Sequence, residues 1–170
     1  MDSIRNAKPA EFSEIGKLMV RVYSQLDGFP KENEYPGYYK MLANVGSLTT
    51  KPGTELLVAV SVDEKILGAV VYFADMQHYG SGGMATAERD AAGFRLLAVD
   101  PAERSRGIGK RLIAACIEKA KHGKARQLII HTTMAMRTAW KIYERMGFRR
   151  SEDLDFKQGD LLVFGLRLIL

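Results

Sequence analysis

The stretch FRLLAVDPAERSRGIGKRLI, residues 94–113, decides how this chain is read. The apolar run 94–99 is a strand that must stop at Asp100-Pro101, because proline cannot donate to a ladder. A short basic loop then leads into Ile108, Leu112, Ile113, Cys116, Ile117 and Ala120, which recur at helical spacing. A strand, a loop and a helix start in that order gather free backbone N–H groups and the positive end of a helix dipole at one point. Gly107 and Gly109 let a ligand come close to the main chain. Arg104, Arg106 and Lys110 add positive charge around it. The combination predicts a pyrophosphate or a similar polyanion at the helix start.

Two commoner phosphate motifs fail here. A Walker A loop needs Gly-x-x-x-x-Gly-Lys-Ser/Thr, but Arg104 stands at the first glycine and Arg111 follows Gly109-Lys110. A dinucleotide fingerprint needs a third glycine, where the chain has Leu112. What remains is Arg-x-x-Gly-x-Gly between a strand ending in Val-Asp-Pro and a helix.

Outward from this stretch, residues 2–7 form a short strand. Pro9 opens a helix carrying Phe12, Ile15, Leu18, Met19, Val22 and Leu26, which Asp27-Gly28 and Pro30 end. A second helix is expected around 37–46. Residues 55–62 and 65–74 read as strands joined at Asp63-Glu64, a short link that favours antiparallel pairing. The Gly-rich segment 75–92 has no period and is a candidate functional loop. Downstream come a strand at 125–133, a helix at 134–146 closed by Gly147, a short strand from Phe148, and a last one at 161–169. The order β-α-α-β-β-β-α-β-α-β-β predicts an α/β (α+β mixed) fold, a mixed sheet with helices on its faces.

A second element lies at Ala139-Trp-Lys-Ile-Tyr143-Glu-Arg-Met-Gly147-Phe148. With 94–113, it resembles the GCN5-related N-acetyltransferase (GNAT) superfamily: the first segment is similar to its coenzyme A loop, the second to its A-x-x-x-Y-E-x-x-G-F motif. The direct match spans about 94–148, and the element order extends it to nearly all of residues 1–170 as one domain. The resemblance implies a mostly antiparallel six- to seven-stranded sheet, about four flanking helices, and central strands 94–99 and 126–132 splayed to admit the pantetheine arm of acetyl-CoA. It implies that the backbone of Leu97, Ala98 and Val99 bonds the arm. It further implies that Arg104, Ser105, Arg106, Gly107, Ile108, Gly109 and Lys110 hold the pyrophosphate, and that Tyr143 sits beside the sulfur. An asparagine common in the family is replaced by Met136, where packing against the arm is expected instead. Homodimers are frequent among such proteins.

The chemistry of acyl transfer agrees with these positions. A fixed backbone N–H can stabilise the oxyanion formed when an amine attacks a thioester. A phenol can donate to the leaving thiolate. Glu55, at a strand start, and Glu88, before the core strand, are candidate general bases, as is Asp90. His131, on a buried-type strand, reads as a satisfied core histidine, and His78 lies in the long loop. The three histidines show no HExxH spacing, so no metal is expected. No Gly-x-Ser-x-Gly elbow is present.

Composition bounds the alternatives. The 170 residues are 46% hydrophobic and 26% charged, with a formal net charge of +5, which suits an anionic ligand without selecting one. Nucleic-acid binding would want clustered exposed aromatics beside the basic residues, and none is evident. A single cysteine, Cys116, excludes an internal disulfide, and no stretch reaches the ~18 apolar residues of a membrane span. The N-terminus carries no signal-like apolar core. A cytoplasmic protein with neither nucleic acid nor membrane as partner is therefore expected, and the resemblance implies transfer of an acetyl group to a small-molecule or peptide amine. The alternative is a non-catalytic acyl-CoA-binding sensor on the same scaffold. The acids Glu152, Asp153 and Asp155 would suit a cationic acceptor but read first as a solvated turn.

Overall fold

The computed structural model describes residues 1–170. The elements are β1 (Ser3–Asn6), α1 (Phe12–Ser24), α2 (Pro36–Ala43), β2 (Thr54–Val60), β3 (Ile66–Phe73), β4 (Ala91–Val99), α3 (Ile108–His122), β5 (Gln127–Thr132), α4 (Arg137–Arg145), β6 (Arg149–Arg150), β7 (Phe156–Gln158) and β8 (Leu161–Ile169). The strands form one eight-stranded sheet in the order β1-β2-β3-β4-β5-β8-β6, with β7 also on β8. Every pair is antiparallel except β4 with β5.

Helices cover both faces, which is why the central strands are apolar at consecutive positions rather than at alternate ones. Leu56, Val58, Val71 and Leu96 pack with Ile15, Leu18, Met19 and Val22 of α1 on one face. Leu57, Ala59, Val70, Phe94 and Ile130 pack with Leu112, Ile113 and Cys116 of α3 on the other. Truncating a fully buried leucine such as Leu112 to alanine would cost about 2–5 kcal/mol. Cys116 is part of this core, and burial pushes its thiol far above the ordinary range. No helix is long and apolar enough to cross a membrane.

Several boundaries differ from the sequence expectation. The β2–β3 link runs from Ser61 to Lys65, closed by Ser61 N–H to the Lys65 carbonyl (2.9 Å), so Val62 joins the turn. β4 begins at Ala91. Residues 134–136 form a 3₁₀ turn before α4. Segment 151–160 contributes the extra strand β7, whose Phe156 pairs with Val163.

Two features open the sheet. The β4–β5 ladder covers only Ala91–Gly93 against Gln127–Ile129 and then ends. At its last rung, a Cβ on Gly93 would lie 2.8 Å from the Ile129 carbonyl oxygen, so only glycine permits this close approach. Just beyond, β4 bulges: Ala98 pairs with Ala69 and Arg95 with Val71, which leaves Leu96 and Leu97 opposite Val70 alone. Leu96 takes a left-handed φ of 60°. An extra residue bends a strand and increases its twist, and here β4 leaves β5, which stays paired with β8 through Thr132.

Candidate functional site

The gap between β4 and β5 lies within a cavity of about 890 Å³. At one end is the loop after β4. Asp100 caps it, its carboxylate accepting from Ala102 N–H at 2.9 Å. Gly107 adopts a φ of 75° and forms the N-cap of α3. The main-chain N–H groups of residues 104–110 meet no protein acceptor; the first bond after them runs from Arg111 N–H to the Gly107 carbonyl (3.0 Å). Cβ atoms added at Gly16, Gly46 or Gly93 would strike protein at under 3 Å. At Gly107 one would meet nothing within 4 Å, and at Gly109 only Val99 at 3.5 Å. Those two glycines therefore border space that a ligand can fill. Arg104, Ser105, Ile108 and Lys110 line the same end. The arrangement suits a diphosphate.

Arg106 does not join them. Its guanidinium is held by Asp2 (2.9 Å) and Glu103, and Glu103 is also bound by Lys65 (2.7 Å).

Further in, Leu97 and Val99 line the cleft, whereas the Ala98 side chain packs into the α1-side core. The Leu97 carbonyl accepts a long hydrogen bond (3.4 Å) from the buried Tyr23 hydroxyl. From the β5 side come Thr132 and Thr133, whose hydroxyls are buried without a partner. Such groups are costly unless a ligand satisfies them. Met136 and Tyr143 approach from α4 and the turn before it. The Tyr143 ring packs edge-on against Phe94 and Phe148, each at 5.8 Å between centroids. Burial raises its pKa, so the phenol stays protonated.

The proposed bases are elsewhere. Neither Glu55 nor Glu88 lines the cleft. Glu55 accepts from Asn6 (2.9 Å) and Lys119 (3.1 Å), and Glu88 pairs with Arg167 at 2.8 Å. His131 lines it but is locked: Nε2 lies 2.9 Å from the Leu154 carbonyl and Nδ1 3.0 Å from the Tyr79 hydroxyl. His78 lies outside, 4.0 Å from Asp75. Asp153 and Asp155 are bound by Arg167 (2.5 Å) and Arg150 (2.8 Å).

The α1 face of the cleft was not legible from motifs. Tyr23, Leu26, Phe29, Tyr35, Tyr38 and Phe156 wall it, and Arg95 reaches it from β4. Arg95 lies opposite Val71, whose side chain packs with α1, and cross-strand pairs share a face. The one available signal was an arginine inside an otherwise apolar strand.

Residues 18–148 match the family model described as "Acetyltransferase (GNAT) family". The chain belongs to the GNAT family. Among curated proteins, N-alpha-acetyltransferase 30 of Xenopus laevis is 29% identical over 102 residues. That alignment covers 59% of this chain, which spans about a third (34%) of the relative's length. Among solved structures, a GNAT acetyltransferase from Staphylococcus aureus Mu50 superposes with a TM-score of 0.75 at 16% identity, covering 98% of each chain. An N-acetyltransferase from Thermoplasma acidophilum in complex with coenzyme A does so with 0.73 at 11% identity, covering 97% of this chain and 98% of that one. These superpositions show that the overall fold is shared with those structures, and the cleft described above is the gap in this GNAT chain's sheet.

Proposed function

We propose that this chain transfers the acetyl group of acetyl-CoA to a primary amine by direct attack within a ternary complex. The supporting observation is the run of seven unengaged main-chain N–H groups, residues 104–110, at one end of a cleft that passes between β4 and β5 and reaches Tyr143. Family membership and the N-alpha-acetyltransferase relative favour an amine as acceptor.

In this reading the loop amides, Arg104 and Lys110 bind the diphosphate, and Thr132 or Thr133 meets polar groups of the arm. Main-chain N–H groups on β4 near Leu97–Val99 stabilise the oxyanion as the N–C bond forms. When the C–S bond breaks, Tyr143 donates a hydrogen bond to the sulfur. Its raised pKa makes it a weaker acid than a thiol, of pKa about 8.5. It therefore serves as a donor or relay, and the proton that ends on sulfur originates on the amine.

The test has two stages. A ligand that binds only the native state stabilises it, so acetyl-CoA at about a hundred times its Kd should raise the melting temperature by several degrees; no shift at millimolar acetyl-CoA would sink the reading. Thiol release across a panel of amines then detects transfer. Tyr143→Phe should keep the thermal shift and lose about 10²-fold or more in turnover. A sensor would show the shift and no turnover in either form.

A further inference from the structure

We propose that the acceptor amine carries a carboxylate and that Arg95 binds it; this rests on the acetyl-transfer reading and specifies its acceptor.

Three arginines of the chain are half-buried: Arg5, Arg95 and Arg167. Arg5 pairs with Glu11 and Glu64, both at 2.7 Å. Arg167 pairs with Glu88 and Asp153. Arg95 has no carboxylate within 4 Å. Its one hydrogen bond goes from Nη1 to the Tyr79 carbonyl (2.9 Å), and its guanidinium lies 5.7 Å from the centre of the Tyr79 ring. Its other N–H groups meet no protein acceptor. A guanidinium withdrawn from water normally has its charge matched, and its planar fork fits a carboxylate. The fold supplies that match for the other two and leaves it open inside the cleft.

The surroundings fix the sign of the missing partner. The only acid lining the cleft is Glu103, at the loop end, already bound by Lys65 and Arg106. Asp153 and Asp155, which in sequence suited a cationic acceptor, are neutralised by Arg167 and Arg150. Lys51, without an ion pair, brings a second cation to the same rim. Its Nζ and the Arg95 Nη1 lie 4.0 and 3.1 Å from where a Cβ on Gly80 would stand. A polyamine would meet repulsion here.

Position narrows the class further. Arg95 precedes Leu97 by two residues across the bulge, within the ~7 Å that two residues of regular strand would span, so carboxylate and attacking amine are separated by a few bonds. The cavity that Arg95 lines is walled on its α1 side by Tyr23, Leu26, Phe29, Tyr35 and Tyr38, with Ser81 and Gln158 among its polar residues. The class is an amino acid, or a compound built like one, with an apolar or aromatic side chain.

Matched pairs test this on the wild-type protein: phenylalanine against phenethylamine and leucine against isoamylamine, with a neutral peptide N-terminus as a third arm. All are assayed by thiol release from acetyl-CoA and by thermal shift of the protein saturated with CoA. The acid of at least one pair should be favoured at least about 30-fold in kcat/KM, as for loss of a charged hydrogen-bonding pair. Arg95→Gln should collapse that preference toward unity through the KM of the acid, with Arg95→Lys restoring part of it. Equal use of both members, a preference for the amine or the peptide, or neither turnover nor a thermal shift with any acid overturns the assignment. A protein that shifts with acetyl-CoA but fails these pairs loses only the Arg95 proposal; one with no acetyl-CoA shift loses the transfer reading itself.

Discussion

The Tyr79 hydroxyl donates to Nδ1 of His131 at 3.0 Å. The direction follows from the other nitrogen: Nε2 lies 2.9 Å from the Leu154 carbonyl, which can only accept, so the proton of the neutral ring sits on Nε2. Burial lowers the His131 pKa. A histidine in the cleft wall is thus held in one neutral tautomer with both ring nitrogens engaged, which makes it a poor base for the acceptor. The midpoint of its ring NMR titration should fall below that of an exposed histidine. Titration with an ordinary midpoint near 6.5 would show that the Tyr79–His131–Leu154 chain does not persist in solution.

Deprotonation of the acceptor then has no carboxylate or free imidazole on the α1 face of the cleft to rely on. The rising limb of kcat/KM with pH should therefore follow the pKa of the amine itself. Two acceptors of different basicity should give limbs displaced by the difference between their pKa values. A limb fixed at one pH for both would reveal a base in the protein.

Gly107 and Gly109 separate ligand binding from stability. At Gly109, within α3 and with open space beside it, alanine should stabilise the free protein slightly, by up to about 1 kcal/mol, and so raise its melting temperature. The same methyl group intrudes where the diphosphate would lie, so the acetyl-CoA shift should shrink. At Gly107, whose φ is 75°, alanine should cost about 1–2 kcal/mol as well as weakening binding. Thermal melts with and without acetyl-CoA read both effects. Gly109→Ala with an undiminished ligand shift would place the phosphates elsewhere.

Acid sensitivity should concentrate at the sheet edge. Arg5 grips both oxygens of Glu11 (2.7 and 3.0 Å), and the Lys8 N–H adds a third bond at 2.8 Å. Chiefly through the Arg5 hydrogen bonds, the Glu11 pKa falls from 4.5 to about 2. A depressed carboxyl contributes stability that is fully present above its unfolded value and is lost as pH falls through the folded one. Stability should decline between about pH 4.5 and 2, and Glu11→Gln should be less stable at pH 7 with a flatter acid limb. Chemical denaturation at several pH values measures this; parallel acid limbs in the two proteins would remove Glu11 as the cause.

The sequence disclosed the loop at 104–110 and the order of elements, because proline, glycine and a helical apolar stripe act locally and leave local marks. Tyr143 came from its motif. Arg95 was in view within the quoted strand, yet nothing local says which face a strand residue takes once a bulge intervenes. The candidate bases failed to reach the cleft for a related reason. Whether Glu55 meets solvent, substrate or Lys119 depends on how α3 lies across β2, which is a tertiary matter. Asp153 likewise met Arg167, fourteen residues on in β8, and Asp155 met Arg150 on the far side of the turn at 152–154.

The register at Ala98–Ala69, continued without interruption, would set Arg95 opposite Tyr72, on the side packed by α3. The one surplus residue in β4 lies just beyond the last rung shared with β5 and decides which side of the molecule the arginine faces. Removing it would turn Arg95 away from the acceptor at the same stroke as it straightened the strand. If Arg95 binds the acceptor as proposed, a single insertion beside the parting of the strands sets which amines this GNAT chain can take, and its loss would be felt in acceptor choice first.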